Sequence, residues 1–249
     1  MDRADLLTYL DELLKPAAFR DYCPNGLQVE GGLDIQRIVF GVTASQALIN
    51  EAVTLGADAL IVHHGYFWKG EDARVTGIRR HRLKTLLTHD INLLAYHLPL
   101  DAHPELGNNA QLATLFGWVP TRRFGEQDIG WLGDVPGDVT LSELTNCAES
   151  LLARHPLIVG DGWKKIRRIA WCSGGGDGYF EAAIAAGADA FMTGEISEPA
   201  VHLARETGVA YLACGHHATE RYGVQALADH LAGAFDELEC EFIDVDNPA

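Results

Sequence analysis

Histidine and carboxylate side chains recur where apolar runs of this chain end. The run Leu60-Ile61-Val62, for example, stops at two adjacent histidines. The candidate ligands at such positions are His63, His64, His97, Asp101, His216 and Glu220. Imidazoles and carboxylates without thiolates suit Zn²⁺, Fe²⁺, Mn²⁺, Co²⁺ or Ni²⁺. Six groups exceed the needs of one catalytic ion, so the sequence predicts a site for two ions, about 3.5 to 4 Å apart.

The local backbone limits how these side chains can converge. Neighbouring residues of a strand point to opposite faces, so His63 and His64 can share a site only if the strand has already ended. Gly65 would permit that by relaxing the backbone. Pro99 disfavours a helical residue before it, so His97 and Asp101 are expected to converge from a strand end and a loop.

The last long helical pattern is predicted to cover residues 220–235, with Val224, Leu227 and Leu231 facing inward. Glu220 then lies in the first turn of this helix, and Thr219 is a candidate cap. The two halves of the chain are thus expected to deliver their carboxylates from different elements.

Short apolar runs alternate with helical patterns along the chain. The predicted strands cover residues 37–42, 59–62, 91–96, 166–172, 188–193 and 209–214. An amphipathic helix that ends before Pro16 precedes them. Connecting stretches of about ten to fifteen residues are typical of parallel strands joined by crossover helices, and strands this apolar are covered on both faces. The sequence therefore predicts an α/β fold with mostly parallel sheets.

A weak internal repeat indicates a duplication. Residues 37–64 align without a gap on residues 168–195 at an offset of 131, which pairs Asp58 with Asp189. The next strand of each half also ends in a histidine that is followed four residues later by a carboxylate. We therefore expect two similar α/β/α lobes, over residues 1–125 and 126–249, with the boundary in the Gly-rich stretch 121–138.

Composition excludes several classes of protein. The formal net charge is −16, so a broad basic surface for nucleic acid or anionic membrane is not expected. The chain starts without a basic segment followed by an apolar run, and it has no apolar stretch of about 18 residues. Its five cysteines never form a CxxC motif, which favours reduced thiols in a cytoplasmic protein.

Other stretches leave alternatives open. The loop 173–178 could form an anion-binding nest or a closely packed turn. The aromatics 66–68 could stack on a planar ligand or pack against the other lobe or a subunit. A basic cluster could attract a phosphate or form a solvated helix face: Arg74, Arg79, Arg80, Arg82 and Lys84. Five histidines are interpreted as surface or structural residues: His81, His89, His155, His202 and His230. His103 and His217 could be outer partners of ligands or proton shuttles.

Six segments resemble one family over the whole chain. They are PNGLQVEG (24–31), GVTAS (41–45), GADALIVHHG (56–65), HLPLDAHPELGNNAQLA (97–113), TGEISE (193–198) and GHHATER (215–221). Together they resemble the GTP cyclohydrolase 1 type 2 homolog family, also called the NGG-interacting-factor-three family. The resemblance implies a duplicated α/β fold, a dinuclear metal centre in the cleft between the lobes, and a homohexamer built as a trimer of dimers.

The resemblance also assigns the candidate ligands. The ligand positions of the family match His63, His64, Asp101, His216 and Glu220, with Glu220 as the bridging carboxylate. His97 matches a position near the metals, and its role as a direct ligand stays open. Of the doubled histidine, His216 is selected as the ligand, and His217 is left as an outer partner.

The functional hypothesis is metal-assisted hydrolysis, in which a metal-bound hydroxide attacks a nucleotide-like or cyclic amide or amidine substrate. The family name taken literally implies attack on the imidazole carbon of GTP and release of formate. No segment of the sequence indicates guanine or triphosphate recognition, so the substrate and any catalytic side chain stay unassigned. The alternative is a non-enzymatic metal-handling or regulatory hexamer that stores, delivers or senses ions. A purely structural scaffold would not explain the ionisable groups at the strand ends.

Overall fold

The structure is a computed structural model that describes all 249 residues. The chain divides into two compact units. Unit 1 comprises residues 1–107 and 223–246, and unit 2 comprises residues 108–222 and 247–249. None of the helices has the length and apolar character that a membrane span requires.

Unit 1 is built on a five-stranded sheet. In chain order its strands are β1 (Gly26–Val29), β2 (Arg37–Thr43), β3 (Ala59–His64), β4 (Asn92–Ala95) and β11 (Glu239–Phe242). Their spatial order is β1-β4-β3-β2-β11. All neighbours are parallel except β1, which runs antiparallel to β4 at one edge.

Helices cover both faces of this sheet. They are α1 (Arg3–Leu14), α2 (Gln46–Thr54), α3 (Gly77–Thr88), α4 (Leu98–Ala102) and the larger part of α9 (His216–Ala234). Leu10 of α1 and Leu227 of α9 pack with Phe40 in one apolar cluster. Leu48 of α2 packs in a second cluster with Val39, the neighbour of Phe40 on β2. The alternation of side chains along one strand thus supplies both clusters.

Unit 2 contains a six-stranded mixed sheet. Its strands are β5 (Val119–Phe124), β6 (Gly130–Thr140), β7 (Leu157–Val159), β8 (Lys165–Trp171), β9 (Ala190–Thr193) and β10 (Ala210–Ala213), in the spatial order β5-β6-β8-β9-β10-β7. Strands β8, β9 and β10 are parallel, and the other three are antiparallel to their neighbours. The helices are α5 (Asn108–Phe116), α6 (Leu141–Leu152), α7 (Phe180–Ala185), α8 (Glu198–Thr207) and the first residues of α9.

The α/β class and all six predicted strands are confirmed. The Gly-rich stretch 121–138, which was expected to hold the boundary between the lobes, contains most of the antiparallel pair β5 and β6. The expected lobes also differ from the observed units. Residues 108–125 belong to unit 2 because β5 pairs with β6, whereas β11 pairs with β2 and returns residues 223–246 to unit 1.

The predicted repeat corresponds to the same local structure in both units. Oδ2 of Asp58 accepts hydrogen bonds from the backbone N–H groups of Gln36 (2.8 Å) and Arg37 (2.9 Å). Oδ2 of Asp189 accepts from those of Arg167 (3.0 Å) and Arg168 (2.9 Å). In each unit this carboxylate holds the residues directly before the point where the strand begins to pair with the next parallel strand.

Replacement of either aspartate by alanine should destabilise the chain, because two backbone N–H groups lose their acceptor. We expect Asp58→Ala to lower the free energy of unfolding by about 1 to 3 kcal/mol. Asp189→Ala should cost less, because the backbone groups it holds are exposed to water. Urea denaturation measures both changes, with the exposed Asp229→Ala on α9 as the control. Equal stability of all three variants and the wild type would refute the structural role of the repeat.

Candidate functional site

His63 and His64 are the last two residues of β3. The expectation that the strand ends before them is therefore wrong. His63 is fully buried, whereas His64 is partly exposed. Their ring centroids are 4.5 Å apart although the residues are neighbours on one strand.

Gly65 has a different role from the one expected. A Cβ atom at this position would lie 2.2 Å from Oε1 of Gln28 and 2.6 Å from Cβ of Ala95. The same Gln28 oxygen accepts a hydrogen bond from the backbone N–H of Tyr66 at 2.6 Å. Glycine is thus required here for the close approach of Gln28, which holds the chain directly after the two histidines.

A third imidazole joins this pair in unit 1. The ring centroid of His97 lies 5.1 Å from that of His63 and 5.7 Å from that of His64. The potential ligand atoms of the three histidines all lie within 4.8 Å of one another. Asp101 adds a carboxylate, with Oδ1 3.5 Å from Nε2 of His63.

Asp101 lies on a short helix and not on a loop. His97 occupies the N-cap position of α4, and Pro99 lies within its first turn. Proline is tolerated there because the first N–H groups of a helix have no partner within the helix. The four-residue spacing of His97 and Asp101 is therefore spanned by one helical turn, in which the Asp101 N–H donates to the His97 carbonyl oxygen at 3.1 Å.

In unit 2 the structure brings His216 and Glu220 together at the start of α9. Nε2 of His216 lies 3.1 Å from Oε2 of Glu220, and the Glu220 side chain is only 3% exposed. Because the helix begins at His216, Glu220 lies in its second turn and Thr219 does not cap it. The Thr219 hydroxyl instead donates to the carbonyl oxygen of Gly215 at 2.9 Å.

Each of these four histidines holds its Nδ1 atom in a hydrogen bond. The partners are the Tyr96 carbonyl oxygen for His63 (3.0 Å), Thr43 Oγ1 for His64 (3.2 Å), Asp21 Oδ1 for His97 (2.7 Å) and Glu195 Oε1 for His216 (2.7 Å). In metalloproteins the nitrogen that does not bind the ion usually forms such a bond, which fixes the tautomer and the ring orientation. The arrangement therefore makes Nε2 of all four rings the candidate metal-binding atom.

Two of these partners are carboxylates, and they change the local electrostatics. Burial by itself lowers the pKa of His216, but hydrogen bonds and charges from Glu220 and Glu195 outweigh it and raise this pKa to about 9. Burial by itself raises the pKa of Asp21, yet the hydrogen bond and charge of His97 lower it to about 2. Divalent ions must displace protons from such rings, so metal binding should release protons.

Gly174 lies directly against the His216 and Glu220 pair. Its φ angle is +62°, and a Cβ atom there would lie 1.9 Å from Oε1 of Glu220 and 3.0 Å from Nε2 of His216. The backbone thus leaves room beside these donor atoms that any side chain would fill. Imidazole nitrogens held at Nδ1, together with nearby carboxylates, fit the divalent transition-metal ions that the sequence predicts.

The loop after β8 is a closely packed turn and not an anion-binding nest. The N–H groups of Ser173, Gly174 and Gly176 donate to Asn109 Oδ1 (2.9 Å), Thr219 Oγ1 (2.9 Å) and Thr193 Oγ1 (3.1 Å), respectively. These three amides are already used within unit 2.

The aromatic stretch after β3 packs within unit 1. Tyr66 is 7% exposed and donates from its hydroxyl to the Ala44 carbonyl oxygen at 2.6 Å. Trp68 packs edge-on against His97, with ring centroids 5.0 Å apart. Phe67 is 39% exposed. These contacts are not the predicted packing against the other lobe or a subunit: Tyr66 and Trp68 pack within their own unit, and Trp68 lies beside the candidate ligand His97.

Three of the five histidines that were interpreted as surface or structural residues form contacts away from the candidate ligands. His230 binds the Tyr9 hydroxyl at 2.7 Å, and two others pair with nearby glutamates, His155 with Glu149 and His202 with Glu198, each at 2.9 Å. His103 accepts the Leu106 N–H at 3.0 Å through Nδ1, so it stabilises its own loop. His217 is buried next to His216.

Sequence reasoning missed Asp21 and Glu195 as partners of the candidate ligands. Glu195 could have been found, because the repeat at an offset of 131 aligns it with His64. Asp21 lies in an irregular segment after α1, and neither periodicity nor the repeat identifies it.

Comparison with known proteins gives consistent matches. The model of the Duf34/NIF3 (NGG1p interacting factor 3) family matches residues 1–248. A GTP cyclohydrolase 1 type 2 homolog of Escherichia coli (strain K12) is 53% identical over 250 residues, which is 100% of each chain. A protein of the same name from Pseudomonas aeruginosa is 53% identical, with 98% of this chain and 97% of the relative covered.

Two solved structures have the same fold as this chain. The structure described as protein ybgI, of unknown function, superposes with a TM-score of 0.96 at 51% identity and 100% coverage of each chain. TTHA1606 from Thermus thermophilus superposes with a TM-score of 0.89 at 35% identity, with 100% of this chain and 99% of that chain covered.

Gly174→Ala should disturb the His216 and Glu220 pair, because the added Cβ would meet the Glu220 carboxylate and the residue would keep a positive φ angle. We expect a loss of unfolding free energy of about 1 kcal/mol or more and a lower metal content after reconstitution. Urea denaturation and elemental analysis measure the two effects. Gly178→Ala is the matched control in the same loop, since its Cβ would meet no atom within 4 Å. If Gly174→Ala and Gly178→Ala had the same stability and the same metal content, the close packing of Gly174 against His216 and Glu220 would be contradicted.

Proposed function

The chain belongs to the Duf34/NIF3 family, and on this premise we propose that it binds two divalent transition-metal ions and acts as a metal-dependent hydrolase. The observation that carries the proposal is the set of histidines whose Nδ1 atoms are all held by other groups, because that arrangement prepares Nε2 for metal binding.

Six side chains supply the proposed ligands for Zn²⁺, Fe²⁺, Mn²⁺, Co²⁺ or Ni²⁺. They are His63, His64, His97 and Asp101 of unit 1 and His216 and Glu220 of unit 2. Imidazole nitrogens and carboxylate oxygens suit all of these ions, and the two carboxylates offset part of the positive charge of the two cations. Both carboxylates of this set are buried: Asp101 is 5% exposed and Glu220 is 3% exposed.

Two bound ions of this kind would lower the pKa of a coordinated water toward neutrality and polarise the bond to be hydrolysed. Side chains of the protein itself would hold the protons that are transferred during hydrolysis. With Nε2 of His216 and the Glu220 carboxylate as ligands, the proton left on His216 would be the one at Nδ1, which is hydrogen-bonded to Glu195 next to the proposed centre. Glu195 is the most exposed of the three and is the candidate for proton exchange with water.

The names of the relatives guide the choice of substrate class. Several are called GTP cyclohydrolase 1 type 2 homologs, and cyclohydrolases open rings by hydrolysis. We therefore propose nucleotide-like or cyclic amide and amidine compounds as the first substrates to test. The homohexamer implied by the family resemblance stays a prediction, which light scattering would confirm with a mass about six times that of one chain.

A second candidate function is reversible metal handling without catalysis. It is favoured by the contacts of His216 with Glu195 and Glu220, which raise the pKa of the ring, because a proton on Nε2 would compete with a metal ion. A protein that stores, delivers or senses ions needs such reversible binding, whereas a hydrolase works with ions that stay bound.

Elemental analysis of the reconstituted wild type should find about two ions per chain, as expected for a dinuclear centre. Glu220→Gln should bind fewer ions or bind them about tenfold or more weakly, because the anionic ligand is lost. His230→Ala is the control, since His230 contacts Tyr9 and is not a proposed ligand. A wild type without bound ions would refute the metal centre, and equal metal content in both variants would refute the role of Glu220.

The two functions differ in what a metal-loaded sample does to small molecules. We expect the loaded wild type to hydrolyse at least one compound from a panel of nucleotides, phosphoesters, cyclic amides and peptides, and Glu220→Gln to have lost that activity. Liquid chromatography with mass spectrometry detects the products. If every compound stays intact while the ions pass readily to a chelating acceptor, metal handling is the better description.

A further inference from the structure

Asp21 forms the most extensive hydrogen-bond set near the candidate ligands of unit 1. Its side chain is 3% exposed. Oδ1 accepts from His97 Nδ1 at 2.7 Å and from the Tyr22 N–H at 2.6 Å. Oδ2 accepts from the Leu98 N–H and from Asn25 Nδ2, each at 2.9 Å. Both oxygens are therefore saturated by donors, as expected for a buried carboxylate that stays ionised.

The contact with Leu98 extends the influence of Asp21 beyond one ring. Leu98 is the first residue of α4, and the N-cap residue His97 makes no side-chain cap of its own. Asp21 supplies that missing acceptor from a distant part of the chain. The helix it caps carries Asp101, so one carboxylate fixes the ring of one candidate ligand and the helix of another.

Asn25 fixes the backbone at the same point. Its Oδ1 atom accepts the His97 N–H at 2.8 Å, while its Nδ2 atom donates to Asp21. The segment 21–25 thus holds His97 by its ring and by its main chain. Rotation of the ring away from His63 and His64 would break the bond to Asp21.

We propose that Asp21 is a positioning residue that sets the metal affinity of unit 1, by orienting Nε2 of His97 and by capping the helix that carries Asp101. This inference rests on the proposed metal-binding function. A carboxylate bonded to a histidine ligand also raises the basicity of the ring, and loss of such an outer partner typically costs about 10- to 100-fold in metal affinity.

A different use of the same residues is a separate ion site formed by Asp21, Cys23 and His97, whose potential ligand atoms lie within 4.8 Å of one another. An ion there would have to displace the donors that already saturate Asp21, including the Leu98 N–H. The positioning role keeps all of these bonds, so it is favoured. Cys23→Ser separates the two interpretations, because the thiol matters only for the separate site.

The experiment is a Co²⁺ titration of the full chain in competition with a chromophoric chelator, with the visible absorption of bound Co²⁺ recorded in parallel. The variants are Asp21→Asn, Asn25→Ala, Cys23→Ser and Asp58→Asn. Asp58 is the matched control, since its carboxylate also holds two backbone N–H groups of unit 1 but contacts no candidate ligand.

Asp21→Asn should lower the affinity for Co²⁺ by about 10- to 100-fold and change the absorption of the bound ion. Asn25→Ala, which leaves the carboxylate in place, should give a smaller loss in the same direction and serves if Asp21→Asn does not fold. Cys23→Ser and Asp58→Asn should bind as the wild type does, even where Asp58→Asn lowers the melting temperature. If Asp21 had a purely structural role, its replacement would change the stability of the chain but leave the affinity for Co²⁺ and the spectrum of the bound ion unchanged.

The proposal is overturned if Asp21→Asn binds Co²⁺ within about twofold of the wild type with the same spectrum, or, where that variant does not fold, if Asn25→Ala does so. It is also overturned if Cys23→Ser loses an ion as Asp21→Asn does. A wild type that binds no Co²⁺ would reject the proposed metal-binding function, and this inference with it. If the wild type binds two ions and Asp21→Asn binds them equally well, only the inference about Asp21 is rejected, and the proposed metal-binding function is not.

Discussion

The candidate site depends on one physical requirement: an imidazole presents a defined nitrogen only when its other nitrogen is held. In this chain the holding groups are a carbonyl oxygen, a hydroxyl and two carboxylates, each from a different segment of the chain. The pairing of β3 with β4 sets the first of these contacts. The Tyr96 N–H donates to the Val62 carbonyl oxygen at 3.0 Å, and the next residue on β3, His63, then reaches the Tyr96 carbonyl oxygen. Sheet register therefore decides the orientation of a candidate ligand.

The internal duplication accounts for the similar backbone structure of the two units, but not for the different side chains at their candidate ligand positions. The aspartates Asp58 and Asp189 hold the same backbone groups in both units, so the two parallel cores begin alike. At the carboxyl ends of the same strands the copies differ. The position of His64 in unit 1 corresponds in the repeat to Glu195, which holds His216 in unit 2. Of these two equivalent positions, one therefore holds a candidate ligand, His64, and the other holds Glu195, the hydrogen-bond partner of the candidate ligand His216.

This asymmetry bears on the choice between the two proposed functions. Unit 1 supplies three rings and one carboxylate, whereas the unit 2 histidine lies between two carboxylates that raise its pKa. A proton on Nδ1 of that histidine can pass to Glu195 and serve hydrolysis, whereas a proton on Nε2 competes with a metal ion and favours reversible binding. The same local electrostatics therefore supports both activities, and the fate of the substrate distinguishes them.

The sequence by itself determined the α/β class, the six strands and the positions of the candidate ligands, because apolar runs and helical periodicity depend on residues close together in the chain. It did not determine that β3 includes both histidines, that α9 begins at His216, or that Gly65 makes room for Gln28. Above all it gave no indication of Asp21. Only the tertiary structure decided the partners of the rings, because those hydrogen bonds join residues between 21 and 76 positions apart, and no local pattern encodes such a contact.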